Sequence, residues 1–127
     1  MGTWSTESFG NDEALDWFGA LREAPSPLPF IQATLNTGST ESVVAAGAVL
    51  AVLGGHDSAD LHPDVAAWCA EKAAPPAALK RAAIDAIQAV LDDPEADGHD
   101  TWAEQGEDDA DYVAWLANLR RIQAGLR

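Results

Sequence analysis

Oxygen-bearing side chains between Asp93 and Glu104 fall at the spacing that a calcium loop uses. Asp93, Glu95, Asp97, Thr101 and Glu104 occupy positions 1, 3, 5, 9 and 12 of an EF-hand-like loop, with Gly98 at position 6, where such a loop turns sharply. Calcium takes about six to eight oxygens, and a closing glutamate can supply two of them. Other features resist this reading. Pro94 stands at position 2, Asp100 replaces the aliphatic residue of position 8, and Gly106 interrupts the helix that should follow. EF-hands also usually come in pairs. The competing reading, a solvated acidic connector between two helices, prevails, so no cofactor is expected and calcium stands as the alternative.

Other groups could also do chemistry. His56, Asp57, Asp60 and His62 offer two imidazoles and two carboxylates, a donor set for zinc or another transition metal, at a spacing that matches no zinc motif. Cys69 is the single cysteine, so no intramolecular disulfide can form and a reducing cytoplasm is the expected compartment. A nucleophilic thiol needs an electropositive, partly open setting. Cys69 instead sits among Trp68, Ala70 and Glu71, which predicts a buried structural thiol. Carboxylate pairs such as Glu13 with Asp16, or Asp97 with Asp100, are too common in this chain to point to acid–base work, which needs burial that pulls two pKa values apart. No nucleophile elbow, phosphate loop, dinucleotide fingerprint or His-Glu-x-x-His helix occurs.

These residues must be positioned by helices. Asn11 is a good N-cap, Asp12 and Glu13 suit the positive end of a helix dipole, and Ala14, Trp17, Phe18 and Leu21 share one face, so a first helix ends before Pro25. Pro25, Pro27 and Pro29 predict a stiff connection, followed by a short helix carrying Phe30, Ile31 and Leu35. Ser39 or Thr40 can cap the next helix, apolar on every side from Val43 to Leu53 and stopped by Gly54-Gly55. Such a helix belongs at the centre of a bundle. Gly47 within it costs about 1 kcal/mol of helix propensity against alanine, which points to a close helix crossing.

Pro63 suits a first helical position, with Val65, Trp68, Cys69 and Lys72 on one stripe until Pro75-Pro76. From Ala77 to Asp92, Leu79, Ala83, Ala86, Ile87 and Val90 oppose Arg81, Asp85, Gln88 and Asp92. A last helix starts near Asp108 and turns Tyr112, Trp115, Leu116, Leu119, Ile122 and Leu126 inward, with Arg120, Arg121 and Arg127 at its end. The fold class is all-α: an irregular bundle of five to six helices in a single domain over residues 1–127, with a short extended N-terminal segment.

The opening residues Met1, Gly2, Thr3, Trp4, Phe9, Asn11, Asp12, Ala14, Asp16 and Trp17 carry a resemblance. They are similar to the start of domain-of-unknown-function family 4259, Met-Gly-Thr-Trp-Gly-x-Gly-x-Phe-x-Asn-Asp-x-Ala-x-Asp-Trp, with Ser5 and Glu7 where that family usually has glycine. ESVVAAGAVLAVLGG, LHPDVAAWCAE and the closing helix resemble its later blocks, so the likeness covers nearly the whole chain. It implies a small, mostly helical, often acidic bacterial protein, and carries no reaction or ligand over to particular residues.

Charge bounds the partners. The chain of 127 residues has 21 acids against 7 lysines and arginines, a formal net charge of −14. That disfavours nucleic acid, whose phosphates demand a basic footprint, and anionic membranes alike. Nor is there a basic region leading into an apolar signal segment, and the longest apolar run is far too short to span a bilayer. The expected role is a non-enzymatic interaction module meeting a basic protein, in its concrete form an immunity or inhibitor protein for a basic toxin or nuclease. Glu104, Glu107, Asp108, Asp109 and Asp111 would be the electrostatic contacts, with Trp102 as anchor. The alternative is a small-molecule-binding protein or small enzyme with a pocket under the N-terminal segment, formed by Trp4, Phe9, Asn11, Asp12 and Trp17.

Overall fold

A computed structural model describes residues 12–38, 40–55, 63–70, 72, 75–92 and 110–126. Among these every regular element is helical: α1 (Asp12–Glu23), α2 (Pro27–Thr37), α3 (Thr40–Leu53), α4 (Pro63–Ala70), α5 (Ala77–Asp92) and α6 (Ala110–Leu126). No described helix is long and apolar enough to cross a membrane.

α3 is the axis of the bundle and touches each of the other five helices. Its sequence requires this. Ser42 to Ala51 and Leu53 are all buried except for the half-buried step at Val52, which lies past Ala51, and a helix without a polar face must be covered all round. Ala14, Leu21, Ile31, Ala45, Ala46, Val49, Leu50, Val65, Ala83, Ile87 and Leu119 are fully enclosed and belong to one continuous core that draws on all six helices. Each enclosed leucine, isoleucine or valine contributes roughly 1.5–3 kcal/mol through the apolar surface it withdraws from water.

The glycines of α3 have distinct tasks. A β-carbon at Gly47 would lie 2.5 Å from Ile87 Cδ1 and 3.2 Å from Ile122 Cγ2, so the missing side chain lets α5 and α6 close onto α3. The expected close crossing is there. At the end of α3, Gly54 N donates to Leu50 O (2.9 Å) and Gly55 N to Val52 O (3.0 Å), and Gly55 has φ 109°, a left-handed conformation that costs glycine nothing.

α2 departs from expectation. The Pro-rich run is not merely a connection before a helix: α2 begins at Pro27, with Ser26 as N-cap, and Pro29 lies inside its first turn. The first N–H groups of any helix lack partners, so prolines there forfeit no bond, and the first helical hydrogen bond is Phe30 N to Ser26 O at 3.4 Å. α2 runs to Thr37 and α3 starts at Thr40. α4 begins at Pro63 and α5 spans Ala77–Asp92, as the sequence predicts.

Candidate functional site

Two aromatic arrangements tie α1 to its neighbours. In the first, Trp17 is buried and its indole Nε1–H donates to Thr34 Oγ1 on α2 at 2.7 Å, while the Thr34 hydroxyl donates to Phe30 O at 3.1 Å. Phe30 stacks on Trp17 with centroids 6.0 Å apart and planes 26° from parallel. Both polar atoms of this contact are satisfied by protein, and Trp17 is thereby committed to packing α1 on α2.

The second arrangement faces solvent. Phe18 on α1 meets the half-buried Trp68 of α4 edge to face, with ring centroids 6.2 Å apart. Each ring carries a cation from four residues further along its own segment. The Arg22 guanidinium stands 5.2 Å from the Phe18 centroid, and the Lys72 ammonium 5.1 Å from that of Trp68. Such contacts are worth about 0.5–1 kcal/mol each at an exposed position, enough to bias two long side chains toward these rings. Beside them opens a cleft of about 260 Å³ lined by Arg22, Asp64, Ala67 and Trp68. It therefore presents a guanidinium, a carboxylate and an indole within one small volume.

Cys69, next to Trp68, points the other way. It is 5 % exposed, and burial pushes its thiol pKa up from 9.0 to about 11, which suppresses the thiolate. It is a packing residue, as the sequence predicts.

Of the residues proposed for a pocket under the N-terminal segment, Trp17 is the one whose side chain is described; Asp12 is the first residue of α1, and Trp4, Phe9 and Asn11 lie outside the described residues. Of the partner-binding set, Asp111 is in the first turn of α6, while Trp102, Glu104, Glu107, Asp108 and Asp109 lie outside. The calcium set Asp93, Glu95, Asp97 and Glu104, and the cluster His56, Asp57, Asp60 and His62, lie outside as well. Among the described residues no group of three or more histidines, cysteines or acids stands where it could hold a metal ion.

Arg22 and Asp64 are absent from the sequence-based candidates. Part of their signal is legible: Phe18 with Arg22, and Trp68 with Lys72, share the i, i+4 spacing that brings side chains together on a helix. Their convergence from two helices separated by some forty residues is not a local property.

A bundle wound round one apolar helix, with a cation-bordered aromatic cleft and an acidic chain overall, defines a small all-helical protein whose described residues contain no recognised catalytic constellation. The chain belongs to the family described as Domain of unknown function (DUF4259), whose model matches residues 2–118. No curated protein and no solved structure matches the chain.

Proposed function

We propose that this protein is a non-enzymatic interaction module that meets a basic protein partner through the acidic stretch from Asp92 to Asp111. One observation carries the reading: residues 93–109 hold eight acids and no lysine or arginine, in a chain already at −14. The stretch starts from the end of α5 and leads into α6, and those two helices are fixed to each other by packing and by Gln123 Nε2 donating to Ile84 O at 3.1 Å. Carboxylates concentrated on such a base raise the local concentration of a positively charged protein and speed encounter. Trp102 supplies an aromatic anchor among Glu104, Glu107, Asp108, Asp109 and Asp111. The concrete form is inhibition, with carboxylates taking the places of substrate phosphates in the basic cleft of a nuclease or similar toxin. The lone thiol suits a reducing cytoplasm.

The test is affinity capture from lysate of the native organism by the wild type and by the triple reversal Asp108→Lys, Asp109→Lys, Asp111→Lys, followed by association kinetics with the captured protein. A stoichiometric basic protein released by salt, associating about tenfold or more slowly with the reversed variant at low ionic strength, is expected. A control reversing Asp16, Glu23 and Asp85, all exposed on α1 and α5, changes net charge equally and should retain most of the rate. Equal kinetics for wild type and the Asp108–Asp109–Asp111 variant would overturn the reading.

A further inference from the structure

The cleft between α1 and α4 stands apart from the acidic stretch and calls for a different kind of ligand. We propose that it binds a free α-amino acid with an apolar or aromatic side chain: Arg22 holds the carboxylate, Asp64 accepts from the ammonium group, and the side chain lies against Trp68 and Ala67.

Three observations converge on this class. The first is the pair of opposite charges, since Arg22 comes from the last turn of α1 and Asp64 from the first turn of α4, and both line one cleft. The contact of Arg22 with the Phe18 ring uses its charge without using up its five N–H donors, and the Asp64 carboxylate has lone pairs for more than one donor. A guanidinium presents two parallel donors to a carboxylate, the strongest geometry available to it.

The second is size. At about 260 Å³ the cleft falls below the roughly 300–1,000 Å³ typical of sites for drug-sized ligands, so it matches the scale of a single-ring molecule. The indole wall of Trp68, braced edge-on by Phe18, offers that ring an apolar surface.

The third is the field of the whole chain. At −14, the protein repels a simple anion on approach and attracts simple cations over much of its surface without selecting this place. A zwitterion carries no net charge. It escapes both effects and gains only where a positive and a negative group line one site, as Arg22 and Asp64 line this cleft. A peptide end has one of the two charges, whereas a free amino acid has both on one carbon. Because the cleft is open and water screens its charges, binding should be modest, with Kd near 1 mM or somewhat tighter.

The experiment follows the Trp68 indole resonance of the intact chain in ¹H–¹⁵N spectra, assigned through Trp68→Phe, during titration with L-phenylalanine, N-acetyl-L-phenylalanine and L-phenylalanine amide. A saturable shift with the free amino acid, and affinities at least about tenfold weaker for both blocked compounds, is expected. Arg22→Gln should reduce the affinity for L-phenylalanine to that of the amide, and Asp64→Asn to that of the N-acetyl compound, with both variants still folded and only a small fall in the unfolding midpoint of Arg22→Gln from the lost Phe18 contact. Absence of a saturable shift, or equal affinity for the free and either blocked compound, would overturn the proposal on the wild type alone. The outcome is independent of whether the acidic stretch has a partner.

Discussion

A methyl group added at Gly47 would sit 2.5 Å from Ile87 Cδ1 and 3.2 Å from Ile122 Cγ2, and Ile87 is fully buried with little room to turn. Alanine gains about 1 kcal/mol of helix propensity there, while overpacking a core costs about 1–3 kcal/mol. Gly47→Ala should therefore lose about 1 kcal/mol in urea unfolding. Adding Ile87→Val, which removes the clashing methyl, should recover stability relative to Gly47→Ala alone although Ile→Val by itself costs about 0.5–1.5 kcal/mol. Simple additivity of the two would show that the crossing is loose. Thr34 gives a sharper residue-scale case. Thr34→Val keeps the shape but strips the acceptor from the buried Trp17 indole, at a cost of about 1–3 kcal/mol, and Thr34→Ser should retain most of it. Cys69 links stability to pH. Its folded pKa, about 11, lies above the 9.0 of the unfolded chain, so the native state holds the proton more tightly. Its contribution is fully present below pH 9 and is lost as pH rises through about 11, by up to about 1.4 kcal/mol per pH unit. Measured against Cys69→Ala, wild-type stability should decline over that window and not below it.

Between elements, one contact that ties α6 to α5 is polar and was not visible in the hydrophobic pattern. Gln123 is 4 % exposed and donates through Nε2 to Ile84 O at 3.1 Å and to Gln88 Oε1 at 3.2 Å, while Gln88 Nε2 donates to Asp92 Oδ1 at 2.9 Å. Both groups facing Gln123 are acceptors. Gln123→Glu would set a carboxylate against them in a buried place, so folding should require its protonation. Its folded pKa must rise above the ordinary value of about 4.3, and the variant should be near wild type below that pH and lose about 2 kcal/mol or more by pH 7. A pH-independent deficit in chemical denaturation would show that the carboxylate finds water instead. The helices themselves were largely legible. Periodicity gave the inward faces of α5 and α6, and total apolarity gave the central place of α3, because burial is what those patterns encode. What escaped was position-dependent: Pro27 and Pro29 look like breakers until the unpaired first turn of α2 is recognised, and Asn118 and Gln123 are buried polar residues that no apolar stripe can announce. The cleft was legible only in halves, as Phe18–Arg22 and Trp68–Lys72, since the meeting of α1 with α4 depends on how both pack around α3.

At the scale of the molecule the question is what fourteen excess negative charges do to a bundle held by an apolar core. Mutual repulsion among them favours expanded states, and salt shortens its reach from about 30 Å at 0.01 M to about 10 Å at 0.1 M. The unfolding temperature should therefore rise with sodium chloride over that range, and rise less for the triple reversal at Asp108, Asp109 and Asp111, where the repulsion is partly removed. Divalent ions separate general screening from a specific site. Calcium and magnesium chloride at equal concentration have equal ionic strength, but the larger calcium ion alone suits a flexible seven-oxygen loop such as Asp93, Glu95, Asp97 and Glu104 could form. If this stretch is a solvated connector kept acidic for a partner, the two salts should stabilise the protein equally at about 5 mM. Binding with Kd below about 1 mM would add roughly 1 kcal/mol for calcium alone at that concentration, a shift of several degrees for a domain of this size. A calcium-specific rise that disappears in Glu104→Gln would move the stretch from partner recognition to metal binding, and equal rises would leave its carboxylates available for a basic protein.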